Sequence, residues 1–218
     1  MRTLIVASPS SGSSEFKRSL AQSNNYDSNF GEIFNPGTFK TKLAKEVICS
    51  KEWMNFCLES NLVLSSELIA QFQINAFEKT TNSIAKVFPT HLNKLGTKDI
   101  IKYISKLCGV ANKIYYMQRE NKKEQIVSRS VRFINGNGTG HPDDLKKLMY
   151  TYKGDLSDDV LNENFDFYQK EVYIINEIYK KYPGEVITLE RDIEDTTSEG
   201  RYVYTGDWEL PEELPLLK

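Results

Sequence analysis

Hydrophobic positions along this chain fall into two rhythms. Four short runs are almost continuously apolar and rich in β-branched residues: Thr3 to Ser8, Ser83 to Phe88, Lys113 to Met117 and Glu185 to Leu189. Runs of that length, bounded by turn residues, predict strands buried on both faces. Between them the apolar spacing lengthens to three and four residues, which predicts helices. Phe39, Leu43 and Val47 open one such stretch; Trp53, Phe56, Cys57, Leu68, Ile69, Phe72 and Phe77 continue it to about Lys79, with Ser65-Ser66-Glu67 as a cap for its later part. Ile100, Ile101, Ile104 and Leu107 mark the next helix, capped by Thr97 and ended by Gly109. Ile126, Val127, Val131 and Ile134 mark another. The longest runs from Ser157 to Tyr182, with Val160, Phe165, Tyr168, Val172, Ile175 and Tyr179 inward and Pro183-Gly184 as its stop. Ser23 to Thr38 reads as a polar loop holding Gly31-Glu32-Ile33-Phe34 and the turn Asn35-Pro36-Gly37. Asn135 to Gly140 reads as a flexible loop, and the acidic, proline-containing tail is expected on the surface.

Strands alternating with helices predict an α/β fold: one domain over residues 1–218, with a mainly parallel sheet of four to five strands flanked by helices. Ligands of such sheets sit beyond the C-terminal strand ends. The segments 9–14, 89–92, 118–123 and 190–195 each follow a predicted strand, so all four converge on one end of the sheet.

Composition narrows the function classes. A hydrophobic share of 39% supports a full core, and a net charge of −2 argues against a general binder of nucleic acid or membrane surfaces. No stretch approaches the ~20 apolar residues of a membrane span. Three cysteines without a CxxC pair fit a reduced, cytoplasmic protein, and two histidines without zinc-like spacing imply no metal. Three of the seven arginines, Arg119, Arg129 and Arg132, fall within fourteen positions and hint at an anion site. The loop Pro9-Ser10-Ser11-Gly12-Ser13-Ser14 is a second hint. It joins the first strand to a helix over Glu15 to Gln22, where free N–H groups and the positive end of the helix dipole face one spot and serine hydroxyls add donors. Its spacing is not that of Gly-x4-Gly-Lys-Ser/Thr.

That loop resembles the 5′-phosphosulfate loop of sulfotransferases that use 3′-phosphoadenosine 5′-phosphosulfate (PAPS), usually Pro-Lys/Arg-Ser-Gly-Ser/Thr-Ser/Thr. Arg119 at the end of the third predicted strand, followed by Gln125 and Ser128, resembles the family's 3′-phosphate motif and is especially similar to the bacterial trehalose-type enzymes. Pro89-Thr90-His91-Leu92 is similar to the Lys-Thr-His-Leu segment of the cytosolic enzymes, whose histidine is the general base. Gly31-Glu32-Ile33-Phe34 occupies a place comparable to that of the glutamate base in the bacterial branch. Leu189-Glu190-Arg191-Asp192-Ile193 resembles a mostly structural Tyr-Glu-Asp-Leu segment. Arg201 with Gly206-Asp207-Trp208 resembles the C-terminal segment that closes over the nucleotide.

The resemblance implies a P-loop NTPase-like sulfotransferase architecture. It also implies transfer of a sulfuryl group from PAPS to a hydroxyl or amine of a small-molecule or carbohydrate acceptor, leaving adenosine 3′,5′-bisphosphate. Ser10, Ser11, Gly12, Ser13 and Ser14 then hold the 5′-phosphosulfate, Arg119 and Ser128 the 3′-phosphate, and Arg201 and Gly206 close the site. His91 or Glu32 takes the acceptor proton, and residues 39–80 form the acceptor side. One departure matters most: Ser10 stands where the family carries lysine or arginine, and Lys17, Arg18 or Lys86 are the replacements within reach. A catalytically silent relative that binds PAPS, its product or a sulfated partner therefore stays open, as does a P-loop-type nucleotide kinase. Neither the acceptor nor the oligomeric state is legible in the chain.

Overall fold

The computed structural model describes residues 1–35, 66–134, 156–193, 206–214 and 217. In chain order the elements are β1 (Arg2–Ala7), α1 (Ser13–Ser23), β2 (Ser28–Ile33), α2 (Ser66–Glu78), β3 (Ser83–Val87), α3 (Pro89–Leu95), α4 (Ile100–Val110), β4 (Lys113–Gln118), α5 (Lys122–Ile134), α6 (Asp158–Lys181), β5 (Glu185–Thr188) and the single turn α7 (Leu189–Asp192). The predicted features Phe39 to Ser65, Asn135 to Gly140 and Arg201 lie outside the described residues.

The five strands form one sheet in the order β2-β3-β1-β4-β5, every pair parallel. This is the α/β fold with helix-flanked parallel strands that the alternating pattern predicts. The chain leaves the central strand for the β2 edge, returns through β3, then crosses to β4 and β5. The strand order thus reverses about β1, and the loop after β1 lies at the switch point where α/β sheets bind ligands. Leu4 and Val6 face a core shared with α2, α4 and α6. Ile5 and Ala7 face the opposite layer, where Phe16 and Leu20 of α1 pack. A third cluster joins α5 to α6 through Ile126, Val131, Phe165 and Tyr168. No described helix is long and apolar enough to cross a membrane.

Several local expectations are corrected. The polar loop predicted over Ser23 to Thr38 contains the edge strand β2. Only Phe30 and Ile33 are buried within it, and a register shift between Asn29 and Glu32 breaks the alternation that marks a strand. The loop predicted at 89–92 is the start of α3, where Pro89 sits in the first turn and needs no N–H partner. Helix α4 is capped by Asp99, whose carboxylate accepts from the Lys102 N–H at 2.9 Å, rather than by Thr97; it runs past Gly109 to Val110. The tail is only partly superficial, because Trp208 is buried against α5 and α6 and donates through Nε1 to Asn162 Oδ1 at 2.9 Å.

One close approach fixes the loop after β1 against the segment that follows β5. Gly12 caps α1 with φ +79°, and a Cβ there would lie 2.4 Å from Leu189 Cδ1. Gly12→Ala therefore adds a left-handed alanine and a collision. It is expected to destabilise the fold by about 1–3 kcal/mol, read as a lower urea midpoint with an unchanged slope.

Candidate functional site

The β1–α1 loop is built to present donors. Helix α1 begins at Ser13, and the Glu15 and Phe16 N–H groups bond back to Gly12 O at 3.0 and 3.2 Å. The N–H groups at the very start of the helix have no acceptor within it. Ser10 is held at φ +65°, left-handed for a residue with a Cβ. The Ser10 and Ser11 hydroxyls are buried and meet no hydrogen-bond partner among the described residues. Gln125 of α5 supports the loop from behind, its Nε2 donating to Ser8 Oγ at 2.7 Å and to Pro9 O at 3.0 Å. A fixed loop with unspent donors at a helix start is suited to an anion.

Beside it lies a buried cation. Lys86 in β3 stands in register with Glu32 of β2 and Ile5 of β1, so its side chain enters the layer that α1 covers. It is 2% exposed. Its Nζ lies 2.9 Å from Glu32 Oε1, donates to Ser14 Oγ at 2.8 Å, and sits 4.8 Å above the Phe88 ring. Gly31, at φ +62° in the irregular part of β2, is the conformational change that brings Glu32 into register with Lys86. Asn35 Nδ2 donates to the other oxygen, Glu32 Oε2, at 2.8 Å. Burial alone would raise the Glu32 carboxyl pKa, but Lys86 and His91 outweigh it and hold it below the usual carboxylate range. Glu32 is therefore ionised at neutral pH.

The two predicted bases turn out to be neighbours. His91 Nε2 lies 3.6 Å from Glu32 Oε2, with the histidine side chain 8% exposed and the glutamate 30%. Burial pushes the His91 pKa down to about 4 despite the nearby carboxylate, so the ring is neutral at pH 7. A carboxylate only accepts, which favours the histidine proton on Nε2 facing it. Of the replacements for the missing loop cation, Arg18 is drawn outward to Glu15 at 2.5 Å. Lys17 reaches Asn29 Oδ1 at 3.1 Å, with its pKa lowered to about 8 by burial and then by Lys86. Lys86 is the one that touches the helix start next to the loop, at Ser14.

At the end of β4, Arg119 is 4% exposed and heavily engaged. Its Nε donates to Glu190 Oε1 at 3.1 Å, its Nη2 lies 2.7 Å from Glu124 Oε2, and its Nη1 reaches Ser10 O at 3.5 Å. Glu190 also accepts from the Glu120 and Asn121 N–H groups at 2.8 and 3.3 Å, so the segment after β5 holds the end of β4 in place. Ser128 lies on α5, half-exposed, and no hydrogen bond joins it to Arg119. Lys122, at the start of α5, is a second buried cation here; burial lowers its pKa to about 8 against the opposing pull of Glu190. Gly206 is exposed, and the neighbouring Trp208 anchors the tail on α6. The Leu217 N–H bonds to Gln118 Oε1 at 2.8 Å, bringing the chain end to the tip of β4.

The structure thus joins Ser14, Glu32, Lys86 and His91, and sets Arg119 against the same loop through Ser10. Asn35 and Lys122 were invisible as site residues in the sequence. Gln125 showed only as part of the Gln-x-x-Ser spacing. A pH consequence follows for His91, whose folded pKa lies near 4 against an ordinary 6.5. Between those values the unfolded chain binds more protons, so this contribution to stability is present above pH 6.5 and lost as pH falls toward 4. In an NMR titration the His91 ring signal, assigned by its loss in His91→Gln, is expected to titrate near pH 4; a midpoint near 6.5 would contradict the buried geometry. No protein-family model matches this chain and no curated protein matches it significantly, so the site's role is read from its own chemistry.

Proposed function

We propose that the chain is a PAPS-dependent sulfotransferase in which a strand lysine replaces the loop cation. The observation that carries this reading is the contact of Lys86 with both Ser14, in the first turn of α1 beside the loop, and Glu32. The residue absent at Ser10 has a counterpart arriving from β3, and that counterpart is attached to a carboxylate able to take a proton. The orphaned Ser10 and Ser11 hydroxyls fit a 5′-phosphosulfate. Bound there, PAPS supplies a sulfuryl group whose sulfur bonds to the acceptor oxygen while its bond to the bridging phosphate oxygen breaks, the electron pair leaving with adenosine 3′,5′-bisphosphate.

The protein's own residues divide the remaining work. Glu32, ionised and the more exposed of the two bases, takes the acceptor proton. His91 orients that carboxylate from the buried side, which makes it a positioning residue. Lys86 offsets negative charge at the loop, as preorganised donors do for a developing anion. Lys86→Ala is expected to lower kcat by about 10²–10³-fold in an assay of nucleotide release. The double variant Ser10→Lys/Lys86→Ala is expected to recover part of that loss. If Lys86→Ala folds, binds adenosine 3′,5′-bisphosphate and transfers at the wild-type rate, the reading fails.

Nucleotide binding, whether for transfer or in a silent relative, meets one opposing observation: Arg119 is already neutralised by Glu124 and Glu190. A 3′-phosphate gains this guanidinium only by displacing a carboxylate, and Glu124 is the one without a backbone-holding task. Glu124→Gln is expected to tighten adenosine 3′,5′-bisphosphate severalfold by calorimetry, with Arg119→Ala weakening it. Equal affinities in both variants would remove Arg119 from the site.

A further inference from the structure

A cavity of about 730 Å³ opens between α3, the first residue of α4, α5 and the middle of α6. That volume suits a small organic molecule, and no role assigned above uses it. Two of its three charged groups satisfy one another, and the third is Lys170 of α6. Arg129 Nη1 lies 2.5 Å from Glu171 Oε2, with the two side chains 12% and 5% exposed, and Glu171 Oε1 accepts from the Thr90 N–H at 3.2 Å. A buried pair closed in this way presents little net charge, and the Lys170 ammonium stands against the aromatic wall, 5.8 Å from the Phe167 ring centroid. The remaining walls are largely apolar: Pro89, Ile100, Ile174 and two aromatic rings that the protein leaves open, Phe167 at 38% exposure and Tyr173 at 62%. Arg129 lies 5.9 Å above the Phe167 ring, which fixes the orientation of that ring at the cavity wall. Polar groups without charge come from Thr90 and Asn93 of α3 and from Gln169 of α6. Thr90 is the residue before His91, so a single turn of helix borders the cavity and also carries the histidine beside Glu32.

We propose that this cavity binds an uncharged, ring-bearing alcohol, its ring against Phe167 and Tyr173 and its hydroxyl toward α3. Only the ligand's role as sulfuryl acceptor rests on the sulfotransferase reading; the site itself does not. It also moves the acceptor side from residues 39–80 to α3 and α6.

The test uses the full chain and saturation-transfer NMR with three probes of similar size: 2-naphthol, 2-naphthoate and methyl α-glucoside. Adenosine 3′,5′-bisphosphate is titrated in parallel. The proposal expects 2-naphthol to bind and to bind most tightly, with a loss of about tenfold in Phe167→Ala, the size of one good ring contact. Truncating this exposed ring leaves the fold intact, checked by an unchanged nucleotide affinity or urea midpoint. Tighter binding of 2-naphthoate overturns the assignment of a neutral ligand, and tighter binding of the glucoside overturns the apolar ring. Nucleotide binding with no naphthol binding, or naphthol binding indifferent to Phe167→Ala, overturns the site while leaving the sulfotransferase reading. Naphthol binding without nucleotide binding supports the site and removes the acceptor role.

Discussion

The ammonium of Lys86 is the constraint on which the rest of this end of the molecule depends. A lysine in the second strand of a parallel sheet, 2% exposed, is tolerated only if its charge is matched and its donors are used. Glu32 and Ser14 supply both, and each is placed by a different element. The edge strand must therefore lie in register with β3, its backbone must turn at Gly31, and α1 must begin where Ser14 faces the sheet. Removing Glu32 alone would strand the ammonium, and breaking one side of a buried pair costs about 3–5 kcal/mol. The geometry that gathers these charged groups is also what the fold at this edge requires.

A second set of contacts ties the two halves of the strand-end surface together without using that lysine. Gln125 holds the loop from α5, Arg119 reaches it from β4, and Glu190 holds Arg119 and the backbone after it from beyond β5. Leu189, the residue before Glu190, occupies the space that the missing Cβ of Gly12 leaves. The loop is thus braced from α5, β4 and the segment after β5, while its hydroxyls at Ser10 and Ser11 stay unspent. Bracing the backbone while leaving the donors free is what preorganisation means for an anion site.

Much of this was legible in the sequence where burial is two-sided. β1, β3 and β4 are largely apolar runs, the edge strand β5 keeps Val186 and Ile187 between a polar start and Leu189, and α6 keeps its period for 24 residues, so hydrophobicity marks them. β2 was not legible, because an edge strand with one buried face and a bulge at Gly31 shows two apolar residues out of six. The serine loop and its place after a strand were readable, and so was the nearness of Lys86 as a possibility, since a lysine inside an apolar run asks for a reason. What no spacing encodes is the partner of Arg119. Glu190 is 71 residues away and Glu124 sits in the first turn of the next helix, and both oppose the phosphate role that the resemblance implies for Arg119 and Ser128. Pairwise charge competition is a tertiary fact.

The conversion of the predicted 89–92 loop into α3 alters how the site works as a whole. In a loop, Thr90 and His91 would be free to move independently. In a helix that Pro89 starts, adjacent side chains point in different directions by about 100°, so Thr90 borders the cavity while His91 faces Glu32. Glu171 accepts from the Thr90 N–H and is itself paired with Arg129, so the helix start is referenced to both α5 and α6. Any molecule that shifts α3 from the cavity side must also shift His91 against the Glu32 carboxylate. The same helix therefore links the cavity wall at Thr90 to the His91–Glu32 contact through rigid geometry.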